Sequence, residues 1–113
     1  MFKLSVITVV YNDVKNIRRT MLSVLNQSFD SIEYILIDGK STDGTWNIIQ
    51  EYKDRIAYAI SEPDKGIYDA MNKGLAVATG EFVLFMNSGD EIYDTDTVKD
   101  VFSSSDSGDI YYG

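Results

Sequence analysis

Two residue types that commonly build catalytic and metal sites are absent from this chain of 113 residues, which contains no cysteine and no histidine. Without cysteine the chain has neither a disulfide framework nor a thiolate metal site. Without histidine it lacks the commonest general base and the commonest transition-metal ligand. Any metal ion bound here must therefore be held by oxygen atoms, which favours magnesium, calcium or manganese.

Long apolar runs are also missing. No run approaches the roughly 20 residues that a transmembrane helix requires. The first residues, MFKLSV, lead directly into an apparent strand and lack the layout of a signal peptide. We therefore expect a cytoplasmic protein, with peripheral attachment to the inner face of the membrane as the open alternative.

Positive charge is scarce, since 10 Lys and Arg residues stand against 18 Asp and Glu residues and the net charge is −8. Nucleic acids require clustered Lys and Arg for their phosphates, so we expect no nucleic-acid partner. Most of the acidic residues are expected to serve solubility alone. With 44% apolar and 25% charged residues, the composition is typical of one soluble globular domain.

Strand and helix patterns alternate along the chain. Apolar runs rich in β-branched residues predict strands at 4–10, 31–37, 56–60, 81–86 and 109–112, and helical spacing predicts helices within 14–25, 45–52, 67–78 and 98–102. Asn12 or Asp13 is a candidate cap for the first helix, and Gly80 is a candidate stop for the third. The alternation predicts an α/β fold with a Rossmann-like, mostly parallel sheet and helices on both faces.

Polar residues with a carboxylate follow each of the first four predicted strands. These ends are Tyr11-Asn12-Asp13, Asp38-Gly39, the segment 61–66 (SEPDKG) and the segment 87–91 (NSGDE). Ligands of open α/β sheets bind at the carboxyl ends of the strands. The sequence therefore predicts a binding site along this rim.

The residues of the rim suit a nucleotide that brings a metal ion. The dinucleotide motif GxGxxG and the P-loop motif GxxxxGK[ST] are both absent. Lys40 and Lys65 are the nearby cations, so a phosphate ligand would need a divalent ion, and Asp90 follows small residues that allow a diphosphate close to the backbone. Asp38 would accept hydrogen bonds from a base or ribose, and Tyr11 would stack on a base.

Each of these residues also has a purely structural interpretation. Asp38 is a candidate cap of the next helix, Asp90 a candidate turn residue, and Tyr11 a candidate packing residue. We interpret Asp43 as a helix cap rather than a ligand. The coincidence of all these residues on one rim favours the binding site.

Three segments resemble the amino-terminal half of family-2 glycosyltransferases, which have the GT-A fold. They are SVITVVYN (5–12), SVLNQSFDSIEYILIDGKSTDGT (23–45) and DKGIYDAMNKGLAVATGEFVLFMNSGDE (64–91). They cover most of the chain in the family's order and spacing. The run DKGIYDAMNKG together with FMNSGDE is similar to the branch that includes colanic-acid-type and other bacterial surface-polysaccharide transferases.

The resemblance implies a set of donor contacts. Val9 and Tyr11 would line the base pocket, Asp38 would hydrogen-bond the base, and the segment 64–72, with Lys65, would cover the base and diphosphate. The segment 87–90 stands in the place of the family's Asp-x-Asp motif. Its implied donor contacts are Asn87 and Gly89, and Asp90 would bind Mn²⁺ or Mg²⁺.

The sequence departs from the family pattern at three places. The family often has Asp-Asp where this chain has Asp38-Gly39, and Asp-Ser-Asp-Asp where it has Asn87-Ser88-Gly89-Asp90. An arginine that is common near the diphosphate is Met71 here. These departures affect the positions that would contact the ribose, the diphosphate and the metal ion.

The resemblance also implies a larger enzyme. We expect residues 1–113 to be the nucleotide-sugar-binding half of a GT-A domain that is truncated before its acceptor-binding half. The whole enzyme would transfer a sugar, with inversion, from a nucleoside-diphosphate sugar to a sugar or lipid-linked acceptor in bacterial polysaccharide or glycoconjugate synthesis. The fragment alone would bind only the donor. No catalytic base is assigned, because Glu62, Glu91 and Asp94 are candidates by proximity alone.

Two alternatives remain open at this point. The chain could be a small non-catalytic α/β module, such as a phospho-acceptor receiver domain, since receivers also carry acids at strand ends and bind magnesium. It could also be inert alone and form a homodimer by pairing of the predicted fifth strand.

Overall fold

The computed structural model describes residues 3–29 and 31–92. The expected helix at 98–102, turn at 103–108 and strand at 109–112 lie outside the described residues, as do Asp94 and the proposed dimer strand. Within the described residues, no helix is long and apolar enough to cross a membrane.

Four strands and three α-helices alternate along the described chain. They are β1 (Leu4–Val10), α1 (Ile17–Leu25), β2 (Ile32–Asp38), α2 (Thr45–Glu51), β3 (Tyr58–Ser61), α3 (Ile67–Val77) and β4 (Phe82–Asn87), with a 3₁₀ turn at Lys53–Arg55 before β3. Every strand and helix expected in this part of the chain is present, and the bounds differ from the prediction by only a few residues.

The four strands form one parallel sheet in the order β3-β2-β1-β4. Val10 pairs with Asp38, Val9 with Asn87, and Asp38 with Ser61, so the carboxyl ends of all four strands lie at one edge. The predicted parallel sheet and its polar rim are confirmed. We call this edge the carboxyl rim.

The strand order contradicts the receiver-domain alternative. A flavodoxin-like or receiver sheet has the order 2-1-3-4-5, in which the third strand lies beside the first. Here β1 lies between β2 and β4, and β3 pairs with the outer edge of β2. The described order is that of the first four strands of a Rossmann-type sheet.

Two apolar clusters cover the two faces of the sheet. On one face, α1 and α2 contribute Ile17, Met21, Val24 and Ile49, which pack on alternate residues of β1, β2 and β4. On the other face, Ala70 and the partly buried Met71 of α3 pack against Ile7, Val9, Ile35 and Ile37. Helices therefore lie on both faces, and all seven residues of β1 are buried.

Two expected helix ends are wrong. The N-cap of α1 is Asn16, which makes no side-chain cap bond, whereas the Asn12 Oδ1 atom accepts a hydrogen bond from the distant Thr42 N–H. The C-cap of α3 is Ala78 rather than Gly80. A Cβ on Gly80 would lie 2.7 Å from the backbone nitrogen of Ser5, so glycine is needed there for close approach to β1.

The carboxylate of Glu33 fastens the end of the sheet opposite the carboxyl rim. It accepts hydrogen bonds from the Ser5 hydroxyl and from the N–H and hydroxyl of Thr79, each at 2.8 Å, and lies 3.4 Å from the Lys3 ammonium. Burial alone would raise the pKa of the Glu33 carboxyl, but these four interactions outweigh it and lower the pKa to about 2. Glu33 thereby joins β2 to the starts of β1 and β4.

Protonation of Glu33 should destabilise the fold in acid. Because the folded-state pKa lies below the unfolded value, its contribution is present above about pH 4.5 and is lost as the pH falls to about 2. A depression of this size corresponds to about 3 kcal/mol. We expect E33Q to lower the free energy of unfolding at pH 7 by roughly 1–3 kcal/mol and to flatten the loss between pH 5 and 2, as measured by urea unfolding.

The matched control for this prediction is E51Q, because Glu51 forms an exposed ion pair with Arg18 on the protein surface. Exposed pairs contribute roughly 0–1 kcal/mol, so E51Q should keep the acid profile of the natural sequence. Equal profiles for E33Q and the natural sequence would contradict the role given to Glu33.

Candidate functional site

A cleft of about 420 Å³ opens on the carboxyl rim between the ends of β1 and β4. Its walls come from the loop after β1, the start of α3 and the end of β4. The lining residues are Val9, Val10, Tyr11, Asn12, Asp13, Asp64, Gly66, Ile67, Ala70, Asn87 and Ser88. This is the point at which the strand order reverses, and such points are the usual ligand sites of open α/β sheets.

Three of the seven predicted site residues line this cleft, namely Val9, Tyr11 and Asn87. The other four, Asp38, Lys65, Gly89 and Asp90, lie on the same rim but not in the lining. Four lining residues were given no ligand role by the sequence analysis. They are Val10, the candidate helix caps Asn12 and Asp13, and Ser88. Their position at or shortly after the end of a predicted strand was the available signal.

Tyr11 presents its ring to the cleft rather than to the core. Its side chain is 63% exposed, although it follows a strand whose residues are all buried. The packing interpretation of Tyr11 is therefore wrong. An exposed ring beside the apolar atoms of Val9 and Ile67 provides a flat, partly apolar surface on which a heterocycle can stack.

Asp38 is fully buried at the end of β2, with 0% exposure. Its carboxylate accepts hydrogen bonds from the Ser41 N–H at 2.9 Å, the Ser41 hydroxyl and the Ser61 hydroxyl at 2.7 Å. It does not cap α2, so that interpretation is wrong. The expected contact between Asp38 and a base stays a prediction, but in this arrangement the carboxylate is turned to the protein and fixes the loop after β2 and the end of β3.

The loops after β1 and β2 are bonded to each other. Asn12 donates its N–H to the Ser41 hydroxyl and accepts from Thr42, and Val14 donates its N–H to the Asp43 carboxylate. Asp43 also accepts the N–H of Thr45, so it binds the first turn of α2, although Gly44 is the N-cap. The Thr45 hydroxyl, followed by these N–H bonds, lowers the pKa of Asp43.

The loop after β4 is a turn held by α1. Asp90 is exposed, its carboxylate accepts the Asn87 N–H at 3.0 Å, and its own N–H donates to the Asn87 carbonyl. Asp90 is therefore a turn residue as well as a candidate ligand. The buried Thr20 hydroxyl on α1 accepts the N–H of Gly89 at 2.9 Å, which fixes the loop against the helix. Gly89 has a φ of +102°, which suits glycine.

The oxygen atoms around this loop fit a hard divalent cation, provided a ligand completes its coordination. Ser88 has a buried hydroxyl without a hydrogen-bond partner among the described residues, and the Asp13 Oδ2 atom lies 4.0 Å from the point where a Cβ on Gly89 would be. In the described part of the chain, no three acidic side chains form a cluster that could hold a metal ion alone. Mg²⁺ is commonly held by one or two carboxylates together with substrate phosphates.

Comparisons with known proteins agree with this geometry. The sequence profile of Glycosyl transferase family 2 matches residues 5–110. An uncharacterized glycosyltransferase of Mycobacterium tuberculosis is 42% identical over 95 residues, which cover 83% of this chain and 36% of that protein. The chain thus spans about a third of the length of this relative.

Two solved structures have a closely similar fold. S. aureus TarS, crystallised with UDP-GlcNAc, superposes with a TM-score of 0.81 at 33% identity and covers 89% of this chain and 30% of its own. The mannosyltransferase PcManGT of Pyrobaculum calidifontis, in complex with GDP-Man and Mn²⁺, has a TM-score of 0.81 at 25% identity, with coverages of 89% and 31%.

Removal of the Asp38 carboxylate should destabilise the rim. We expect D38A to lower the free energy of unfolding by roughly 2–4 kcal/mol, because three partly buried donors lose a charged, buried acceptor. S61A, which removes only one of these donors, should cost roughly 1 kcal/mol. Urea unfolding of both variants tests this, and an unchanged stability of D38A would show that Asp38 has no structural role.

Proposed function

Since this chain belongs to glycosyl transferase family 2, we propose that it forms the donor-binding part of an enzyme that transfers a sugar from a nucleoside-diphosphate sugar to an acceptor hydroxyl. The observation that carries this proposal is the cleft where the strand order reverses, which combines the exposed ring of Tyr11 with the polar loop after β4. We further propose that the acceptor-binding half and its catalytic base lie beyond Gly113.

The proposed donor lies across the cleft with its base on Tyr11. Val9 and Ile67 would contact the faces and edges of the base through apolar atoms. The diphosphate would extend toward Asn87, Ser88 and Gly89, where the absence of a side chain at Gly89 permits close approach to the backbone. Lys65 is exposed beside the cleft residues Asp64 and Gly66 and would offset phosphate charge.

We propose that Asp90 holds Mn²⁺ or Mg²⁺ together with the donor phosphates. Asp13 lies nearby, as does the Ser88 hydroxyl, which has no hydrogen-bond partner among the described residues. The ion supplies positive charge for the diphosphate that leaves during transfer. The residues of this chain contribute the rest by position: Thr20 fixes the loop that carries Asp90, and Tyr11 orients the base. A strongly acidic rim with few cations needs such an ion before it can accept a diphosphate.

The finer features of the proposal depend on the sequence resemblance. They are transfer with inversion in a single displacement, a sugar or lipid-linked acceptor, a role in bacterial polysaccharide or glycoconjugate synthesis, and a place in the cytoplasm or at the inner face of the membrane. A homodimer remains part of the same proposal.

Titration of the protein with UDP, GDP and dTDP, with and without Mn²⁺, tests this function. We expect binding in the micromolar to millimolar range that weakens about tenfold or more when EDTA removes the metal. D90N should bind the same nucleotide with little response to Mn²⁺, because the carboxylate that holds the ion is gone. Isothermal calorimetry or NMR shift titration gives the dissociation constants.

The control for D90N is D54N, because Asp54 lies in the 3₁₀ turn before β3, away from the carboxyl rim. D54N should keep the binding and metal response of the natural sequence. If a folded sample binds none of the three nucleotides with Mn²⁺ present, the proposed function is wrong.

A further inference from the structure

The carboxylate of Asp64 lies beside Gly39, at a point that the ring of Tyr11 also approaches. A Cβ built on Gly39 would lie 2.7 Å from the Asp64 Oδ2 atom and 3.4 Å from Cδ1 of the Tyr11 ring. The Oδ1 atom of Asp64 accepts the N–H of Gly66 at 3.0 Å. Among the described residues, no hydrogen-bond donor contacts Oδ2, and Asp64 is one of the residues that line the cleft.

The missing side chain of Gly39 leaves room for this carboxylate. Any Cβ at this place would be far inside the contact distance of Oδ2, so the carboxylate could not stay where it is. Asp38, the neighbouring acid, is buried and bonded to Ser41 and Ser61. Two carboxylates therefore line the cleft: Asp64, from the loop before α3, lies beside Gly39, and Asp13 lies on the side of Gly89.

We propose that Asp64 determines which nucleotide base the cleft accepts. A base stacked on Tyr11 would lie in a plane parallel to the ring, and Asp64 Oδ2 and the Tyr11 Cδ1 atom both approach the same point beside Gly39, so Oδ2 would face the edge of that base. As a bare acceptor, Oδ2 selects a base whose pairing edge carries a ring N–H. Uracil, thymine and guanine meet this condition, whereas cytosine and adenine do not. This inference rests on the proposed function.

The donors and acceptors on the edges of the bases determine which bases Asp64 would favour. Uracil and thymine carry a proton on N3, and guanine carries one on N1, so each can donate to a carboxylate. Cytosine N3 and adenine N1 carry a lone pair instead, which would face the negative charge of Oδ2. A hydrogen bond to a charged group changes the affinity by roughly tenfold to a hundredfold, and an unpaired, repelling pair of acceptors adds to the discrimination.

The variant D64N tests the selection by exchanging an acceptor for a donor. The Gly66 N–H holds an oxygen at the place of Oδ1, so the amide nitrogen takes the place of Oδ2. We expect UDP to bind more weakly and CDP more tightly, so that the ratio of their affinities falls by about tenfold or more. Calorimetric titration with UDP and CDP in the presence of Mn²⁺ measures this ratio.

A second variant moves the carboxylate without removing it. G39A introduces a Cβ that would clash with Asp64 Oδ2. Because the Asp64 side chain is more flexible than the backbone, we expect the carboxylate to move away. We expect G39A to reduce the preference for UDP over CDP. In a D64A background the same change should have no further effect, because no carboxylate is left to displace.

The control variant is D54N, which makes the same chemical change away from the cleft and should leave the ratio unchanged. The proposal is supported if the UDP-to-CDP affinity ratio falls in D64N, or if it falls in G39A but does not change when G39A is added to D64A. Equal binding of UDP and CDP by the natural sequence overturns it, as does a preference that survives both D64N and G39A, and in both cases the proposed function stands. Absence of all nucleotide binding removes the proposed function and this inference together.

Discussion

The reversal of strand order at β1 is the constraint on which the rest of the structure depends. The chain runs outward from β1 through β2 to β3, then returns across the sheet to pair β4 with the other side of β1. Because parallel crossovers are right-handed, α1 and α2 cover one face and α3 covers the other. The chain consequently leaves β1 and β3 toward opposite faces of the sheet. The cleft between the ends of β1 and β4 follows from this connectivity before any particular side chain is considered.

The acidic side chains divide into those that hold the fold and those that face a ligand. Glu33, Asp38 and Asp43 each accept three or more hydrogen bonds from the protein, and each joins segments that are distant in sequence. Asp64 and Asp90 each accept one N–H bond from their own loop, so oxygen atoms remain for a ligand. A negative net charge thus serves two purposes. Bonded carboxylates fix the loops, and the cleft that those loops surround stays acidic enough to require a cation with any phosphate.

The sequence predicts the strands, the helices and the polar rim because these depend on local patterns. Apolar runs and helical spacing are properties of neighbouring residues, and parallel strands bring their ends together by topology. The partners of individual polar side chains are not local. Asp38 binds Ser61, and Asn12 binds Thr42, across separations of 23 and 30 residues. For both side chains the nearest partner along the chain was the N-terminus of the next helix. Each side chain instead makes a hydrogen bond to a residue that is distant in sequence.

The two glycines that replace family acids show why a motif departure must be judged in three dimensions. The family often carries Asp where this chain has Gly39 and Gly89. Beside each glycine, a carboxylate from another loop occupies the adjacent space: Asp64 at 2.7 Å and Asp13 at 4.0 Å from the built Cβ. The rim therefore keeps an acidic side chain beside each of the two glycines, but that side chain comes from a different loop of the chain. An acid that enters from a loop approaches the ligand at a different angle from one that follows a strand, so retained charge is compatible with altered selectivity.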